Sequence, residues 1–458
     1  MTSSATLIQQ GRLAEAEAGL RQLLARTPED AATLTNLGVV LQLQSRFEEA
    51  EACYRQALSR QPNLVMAHNN LGVVLQARDC LDEAIFAFQR ALTLRPDYQD
   101  ALNGLGVALQ AQGRLEQAVQ TFRQVLALRP DHAEAHTNLA TALLTAGEFE
   151  TGFCELEWRS RAEGRTDRMP EGFAPEWRGE DLSGRTLLVF SEQGAGDTFQ
   201  FVRYLAPLKA VSGAKTLMLL APNALARLLV SLEGLDRLVT AEDPPPEFDY
   251  FIRLLSLPHR LGTTADTIPD RVPYLNVPAS LVEHRRRQLA ALPRRKVGLV
   301  WHGNPRQRNN RKRSLPQSLW PLLGRAPGIS WVNLQADPSD HEAALLERMG
   351  ALDLSPSLTD WAETAAVLAA LDLVITVDTG VAHLAGALGV PVWLLLSFAP
   401  DWRWQLGRDD SPWYPSLRLF RQPRPGDWTP VLEAVTLELE KQAESQAPQA
   451  SHRSQISR

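Results

Sequence analysis

The feature that most constrains this chain is a pattern that recurs every 34 residues through its first third. The recurring positions are a leucine before a small residue (Leu37-Gly38, Leu71-Gly72, Leu105-Gly106, Leu139-Ala140), a proline (Pro28, Pro62, Pro96, Pro130), an alanine (Ala16, Ala50, Ala84, Ala118) and a bulky residue (Leu20, Tyr54, Phe88, Phe122). Small residues let two helices approach closely, the bulky residue fills the groove between them, and proline ends a helix. The period therefore predicts a stack of helix pairs.

This pattern resembles the tetratricopeptide repeat. The resemblance implies complete units over about residues 31–64, 65–98 and 99–132, a half unit before them, and a degenerate unit from 133 that ends the array. One interpretation of the array is a concave surface that binds a protein or peptide partner. The alternative is a scaffold that positions the rest of the chain or joins two copies into a homo-oligomer.

Asparagines also recur, on the first helix of each unit. They are Asn36, Asn70, Asn103 and Asn138. In this repeat class the first helices line the inner face, where an asparagine either hydrogen-bonds an extended peptide or satisfies a contact between repeats. The sequence leaves both alternatives open.

Composition excludes several classes of protein. A net charge of −6 argues against bulk electrostatic binding to nucleic acid, so we expect no nucleic-acid partner. Cys53, Cys80 and Cys154 have no metal-ligand spacing and indicate buried thiols in a reducing compartment. The first residues lack a signal-peptide pattern, and no stretch approaches the ~20 apolar residues of a membrane span. We therefore expect a cytoplasmic protein with no transmembrane segment.

A change in composition marks the end of the repeats. All eleven tryptophans lie at or after Trp158, and residues 160–184 are polar. We predict a repeat domain over 1–165, followed by α/β domains over 166–290 and 291–440. The polar tail, 441–458, is predicted to be disordered.

The first α/β domain opens with a strand over 185–190, a glycine-containing loop and a helix. Gly194 and Gly196 allow tight turns and close approach of a ligand, and Gln193 belongs to the same loop. Asp197 lies at the start of the helix, where an aspartate either caps the helix or serves the chemistry of a site.

The second α/β domain repeats this arrangement twice. A strand over 296–301 precedes a basic loop over 302–314, which suits an anionic sugar donor because arginine binds phosphate with two parallel hydrogen bonds. A buried strand over 373–377 precedes the turn Asp378-Thr379-Gly380 and a helix. Free backbone N–H groups at such a helix start favour phosphate.

Four segments then carry a further resemblance. They are residues 192–204, 298–305 with Arg313-Ser314, 372–389, and 398–404 with 410–415. With them, residues 185–435 resemble a GT-B glycosyltransferase of the bacterial group that carries tetratricopeptide repeats. The Gly-Asp loop and the Asp-Thr-Gly-x-x-His element are similar to those of ADP-heptose heptosyltransferases, and the overall layout is similar to O-GlcNAc transferase. The implied fold is a tetratricopeptide solenoid followed by two Rossmann-like domains with a cleft between them.

The resemblance also implies a site. The second α/β domain supplies the donor-binding residues Gly303, Asn304, Arg313, Ser314, Gln335, Asp378, Thr379, Gly380, His383 and Trp402. Gln193, Gly194 and Gly196 form the acceptor-side loop. Asp197 is the candidate general base, with His302 as the alternative, and Asp378 is expected to brace its turn through backbone N–H groups. No metal and no cofactor are expected besides the nucleotide-sugar substrate.

Several roles stay open at this stage. His383 is either a donor ligand or a structural histidine, and Trp402 with Trp404 either stacks on the donor or closes the core. Asn310 stands where this group usually has an acidic residue. The leading functional prediction is an inverting, metal-independent glycosyltransferase whose repeats present a protein or peptide acceptor. The alternatives are a heptosyltransferase-like enzyme acting on a glycan or lipid-linked acceptor, and a non-catalytic scaffold that binds nucleotide-sugar.

Overall fold

The computed structural model describes residues 4–161, 174–305 and 310–446 of the chain. The chain divides into two compact units, Met1–Arg168 and Met169–Arg458. Among the described residues, no helix is long and apolar enough to cross a membrane. In the same ranges, no group of three or more His, Cys, Asp or Glu side chains is placed to hold a metal ion.

The first unit is a stack of helix pairs. Its helices are α1 (Ser4–Gln9), α2 (Leu13–Arg26), α3 (Ala31–Leu43), α4 (Phe47–Arg60), α5 (Val65–Ala77), α6 (Leu81–Leu94), α7 (Gln99–Ala111), α8 (Leu115–Leu128), α9 (Ala133–Ala146) and α10 (Phe149–Leu156). The even-numbered helices α2 to α8 each end two residues before a repeat proline. The repeat alanines and bulky side chains are buried, so the predicted helix-pair array is confirmed.

Contacts between repeats use two of the recurring asparagines. Asn138 Nδ2 donates to Asn103 Oδ1 at 3.0 Å, and Asn103 Nδ2 donates to Glu134 at 3.1 Å. Asn70 accepts from its neighbour Asn69 at 3.2 Å. At the end of the array, Asn103 and Asn138 therefore satisfy contacts between repeats, which is one of the two roles predicted for them.

The repeat glycines set how closely the helices approach. A Cβ added at Gly106 would lie 2.5 Å from the ring of Phe122, which is fully buried. Gly106→Ala is expected to destabilise the array by about 2 kcal/mol, because the ring has no free space to move into. All three cysteines lie in this unit, so labelling of Cys53 and Cys80 by a maleimide across a urea series measures its unfolding.

Gly19 of α2 provides the matched control. A Cβ there would meet nothing within 4 Å. Gly19→Ala is expected to leave stability unchanged or to raise it by up to ~1 kcal/mol, because alanine favours a helix. Equal effects of the two substitutions would show that the Phe122 ring does not limit the approach of the helices.

The second unit contains two parallel sheets, and the predicted fold class is confirmed. The strands are β1 (Thr186–Phe190), β2 (Thr216–Leu220), β3 (Arg237–Val239), β4 (Tyr250–Arg253), β5 (Arg295–Val300), β6 (Ile329–Asn333), β7 (Leu352–Asp353), β8 (Leu373–Val377), β9 (Val392–Leu396) and β10 (Leu417–Arg421). The first sheet has the order β3-β2-β1-β4, and the second has the order β10-β9-β8-β5-β6-β7. We call these sheets with their helices the first lobe and the second lobe.

Helices connect the strands of both lobes. They are α11 (Ala195–Phe201), α12 (Leu205–Ser212), α13 (Asn223–Leu229), α14 (Leu257–Arg260), α15 (Ala279–Leu289), α16 (Asn310–Arg313), α17 (Trp320–Leu323), α18 (Asp340–Arg348), α19 (Trp361–Leu368), α20 (Gly380–Ala387) and α21 (Thr429–Gln446). In the second sheet the strand order reverses between the neighbours β5 and β8. Their carboxyl ends therefore meet at the edge where α/β sheets bind ligands.

Helix α21 corrects the predicted end of the last domain. We predicted a disordered tail from residue 441, but the helix continues to Gln446. Val435 and Leu439 are buried one turn apart in the core of the second lobe, and Arg295 hydrogen-bonds Gln442. Residues 441–444 are exposed or half-buried, so the extra turn is supported by the hydrogen bond from Arg295. Residues 447–458 lie outside the described part of the chain.

Candidate active site

The turn Asp378-Thr379-Gly380 joins β8 to α20 at the sheet edge described above. Thr379 precedes the helix in an extended conformation, and its side chain makes no capping hydrogen bond to α20. Its hydroxyl instead lies 3.1 Å from the hydroxyl of Thr376. The first N–H groups of a helix that lacks a side-chain cap can donate to an anion. The local geometry thus suits a phosphate group.

His383 lies one turn into α20 and is buried. Its Nδ1 is 3.0 Å from the hydroxyl of Tyr414, and its ring stacks on Trp404 with centroids 5.1 Å apart. Burial lowers the pKa of His383 well below its usual value, and the cations Arg403, Arg203 and Arg313 lower it further. The imidazole is therefore neutral near pH 7, and it can form hydrogen bonds without bringing a charge to this region.

Asp378 is half-buried among charged groups. The pKa of its carboxyl is raised to about 6, chiefly by burial and also by the Asp401 carboxylate, while the Arg313 guanidinium opposes both effects. We expected this carboxylate to brace the turn through backbone N–H groups. Among the described residues it makes no such hydrogen bond. It belongs instead to a cluster of carboxylates and guanidinium groups, and burial makes its charge costly.

The acceptor-side loop lies against this turn. Gly194 precedes α11, and Asp197 is the third residue of that helix, from which its side chain caps the helix start. The Oδ2 atom of Asp197 accepts the N–H group of Gly194 at 3.1 Å. A Cβ at Gly196 would lie 2.8 Å from the His383 ring and 3.4 Å from the Cα atom of Gly380. The glycine at position 196 therefore allows the first turns of α11 and α20 to come into contact. Gln193 and Gly194, in the loop before α11, are exposed.

The loop after β5 contains the other predicted donor residues. The N–H group of Gly303 donates to Asn310 Oδ1 at 2.9 Å. Asn310, at the position where an acidic residue is usual, therefore holds the backbone of this loop. A Cβ at Gly303 would overlap the Arg313 guanidinium, so these two groups are in close contact. Ser314 Oγ donates to the carbonyl of Asn310 at 2.6 Å. Asn304 is exposed, and residues 306–309 lie outside the described residues.

Three predicted residues have structural contacts in this region. Gln335 accepts the N–H groups of Trp301 and His302 at 3.3 and 3.1 Å, so its amide holds the loop. His302 Nδ1 lies 2.8 Å from the carbonyl of Gly303. Trp402 is buried and stacks on Phe201 with centroids 6.5 Å apart. Trp402 thus closes the core between the lobes.

Sequence reasoning missed Arg403 as a member of the site. Its guanidinium is buried and pairs with Asp197 and with Asp401, the latter at 2.9 Å. Its Nε also donates to Gln200. The only signal available was the segment Asp-Trp-Arg-Trp over 401–404, which was singled out for its aromatic residues. Asp197 and Gln200 lie more than 200 positions away in sequence, so no local pattern indicates their contacts with Arg403.

Comparison with known proteins defines the class. Residues 31–64 and 63–131 match tetratricopeptide repeat models, and residues 332–407 match the model of glycosyltransferase family 9 (heptosyltransferase). The chain therefore carries tetratricopeptide repeats followed by a glycosyltransferase family 9 domain, as predicted. The matched segment of this domain includes β8, the turn at 378–380 and α20.

Among curated proteins, the chain is similar to Protein FlbA of Caulobacter vibrioides. The two are 31% identical over 288 residues, which cover 57% of this chain and 48% of that protein. The chain thus spans about half the length of this relative.

Several solved structures are similar to part of this chain. MamA is 20% identical, covers 34% of this chain and 92% of its own, and has a TM-score of 0.32. YrrB, described as a TPR protein with an unusual peptide-binding site, is 22% identical, with coverage of 36% and 84% and a TM-score of 0.31. Pseudomonas aeruginosa pilF is 23% identical, with coverage of 36% and 75% and a TM-score of 0.33.

Proposed function

We propose that this protein is an inverting, metal-independent glycosyltransferase that moves a sugar from a nucleotide-sugar donor to a protein or peptide acceptor. One observation supports this most directly. The start of α20 lacks a side-chain cap, lies at the carboxyl edge of β8, and faces the loop that holds Asp197. A diphosphate at the helix start would thus lie next to a carboxylate from the other lobe.

In the proposed reaction, Asp197 accepts the proton of the acceptor hydroxyl as that oxygen attacks the anomeric carbon of the sugar. The new bond forms on the face opposite the phosphate. The bond between the anomeric carbon and the phosphate oxygen breaks, and its electron pair leaves with the nucleoside diphosphate. The N–H groups at the start of α20 and the guanidinium of Arg313 would stabilise the charge that develops on the leaving group.

A donor panel tests this function. Thermal shift with UDP-GlcNAc and ADP-heptose would identify the donor that stabilises the chain, because a bound ligand favours the native state by mass action. Release of nucleoside diphosphate with and without candidate acceptor proteins would then measure turnover. Tight nucleotide binding without turnover on any donor would favour the scaffold alternative.

The acceptor has a second candidate class. The matched family model carries the description heptosyltransferase, which favours a glycan or lipid-linked acceptor. The repeats favour a protein acceptor, or a second copy of the chain, because arrays of this kind present extended binding surfaces. Transfer to a purified protein, detected by intact mass, separates the two classes. A mass increase only on a glycan would make the protein acceptor wrong.

Replacement of Arg313 tests the donor site. Arg313→Gln is expected to raise the dissociation constant of the bound nucleoside diphosphate about 10- to 100-fold, because it removes a charge-assisted hydrogen bond. Isothermal titration with ADP and UDP measures this change. Arg311 is the matched control, since it lies on the same short helix and is exposed. An equal loss of nucleotide affinity in Arg311→Gln would indicate that nucleotides bind to a diffuse basic surface and not to a defined site.

A further inference from the structure

Arg403 of the second lobe contacts the candidate base. It projects from the segment 402–404 and ion-pairs with Asp197 of the first lobe. The same guanidinium donates through Nε to Gln200, on the same helix as Asp197, and through Nη1 to Asp401 at 2.9 Å. Its three nitrogens thus hold two residues of one lobe and one of the other.

The environment fixes this guanidinium in one orientation. Arg403 is only 6% exposed, and its guanidinium carbon lies 4.5 Å from the centroid of the Trp402 ring and 5.6 Å from that of Phe201. A planar guanidinium between aromatic rings presents its N–H groups in set directions. A buried cation also needs its carboxylate partners, since leaving it unpaired would cost several kcal/mol. The pair with Asp197 is therefore a constraint on both side chains.

Both carboxylate oxygens of Asp197 are engaged. Oδ2 accepts the N–H group of Gly194 at 3.1 Å, within the first lobe, and Oδ1 pairs with Arg403 of the second. Each oxygen of an ionised carboxylate has a further lone pair, so the group can still accept a proton. An arginine stays charged in proteins, so Arg403 itself accepts none. One contact from each lobe therefore sets the direction of the remaining lone pairs.

We propose that Arg403 is a positioning residue for Asp197, so that the base points at the acceptor hydroxyl only while segment 402–404 is docked on α11. This inference rests on the proposed function. The proton goes from the acceptor hydroxyl to Asp197, and Arg403 keeps its charge throughout. The lobe that holds the donor thereby also orients the base for the acceptor.

A double-mutant cycle in the full chain tests this role, with whichever of UDP-GlcNAc and ADP-heptose gives turnover. Arg403→Gln is expected to lower kcat about 100-fold, with the donor KM changed less than about threefold, since misplacement by about 1 Å has an effect of that size. Arg403→Lys is expected to recover part of kcat. In the Asp197→Asn background, Arg403→Gln is expected to lower kcat by less than about twofold, because residues that act as a unit are not additive.

Arg408→Gln is the matched control. Arg408 lies in the same region but pairs with Asp410 of its own lobe at 2.7 Å. The substitution Arg408→Gln is expected to change kcat by less than about twofold. Equal losses from Arg403→Gln in the wild-type and Asp197→Asn backgrounds would overturn the proposal, as would a loss seen only in the donor KM.

A measurement without ligand separates this proposal from the proposed function. Hydrogen exchange of a peptide over 194–201 reports the order of the Asp197 helix. Arg403→Gln and Arg403→Lys are each measured beside Arg408→Gln. In Arg403→Gln, the amides of this peptide are expected to exchange about tenfold faster than in Arg408→Gln. If no donor turns over but this change is found, the glycosyltransferase function fails and the positioning contact stands. Unchanged exchange in both Arg403 variants would overturn the positioning role, whatever the activity.

Discussion

Asp197→Asn is expected to lower kcat for sugar transfer by about 100- to 10,000-fold, the range that general base catalysis contributes. Asparagine keeps the size of the side chain and an oxygen for Gly194 or Arg403, so the helix start should persist. It removes the group that accepts the proton. Donor affinity should change less than about threefold, since this carboxylate belongs to the acceptor side of the proposed reaction.

Two further variants make this prediction specific. Asp401→Asn removes a carboxylate from the same guanidinium without touching the proposed base, and it is expected to lower kcat less than about tenfold. His302→Gln tests the alternative base, whose ring contacts the carbonyl of Gly303. Transfer that survives Asp197→Asn but is lost in His302→Gln would move the base to His302. Transfer that survives both would make both assignments wrong.

The repeats could be predicted from sequence because their determinants are local and periodic. A small residue such as Gly106 and a bulky residue such as Phe122 lie 16 positions apart within one helix pair. Their contact depends only on the geometry of that pair. The 34-residue period repeats this contact along the chain, so the sequence displays the packing rule several times.

The candidate site was predictable only where it is local. The turn at 378–380 follows from a buried strand, a break and a helix, all within one segment. The pairing of Asp197 with Arg403 depends on how two lobes dock, which no local pattern encodes. For the same reason, the sequence left the contact of Trp402 open and gave no sign of the hydrogen bonds that Gln335 makes. A polar or aromatic residue at a strand end suits a ligand and a core contact equally well until its neighbours are known.

Asp378→Asn is expected to stabilise the second unit at high pH. The pKa of Asp378 is raised from its ordinary value of 3.8 to about 6, chiefly by burial. A pKa raised in the native state means that the folded protein binds this proton more tightly than the unfolded chain does. The associated stability is fully present below pH 4 and is lost as the pH rises through 6. Asparagine carries no such charge, so the variant avoids a loss of about 3 kcal/mol in the free energy of unfolding by pH 8.

Urea unfolding of the full chain between pH 4 and pH 8 measures this effect. All tryptophans except Trp158 lie in the second unit, so their fluorescence reports its unfolding. The advantage of Asp378→Asn should be small at pH 4 and grow towards pH 8. Asp243→Asn is the control, because the Thr240 hydroxyl and N–H group lower the pKa of Asp243 below its ordinary value of 3.8. The stability that this carboxylate contributes is already present at pH 4, so the loss in Asp243→Asn should stay nearly constant up to pH 8. An advantage of Asp378→Asn that does not vary with pH would show that water already solvates the Asp378 carboxylate, and that the charge cluster imposes no cost on the native state.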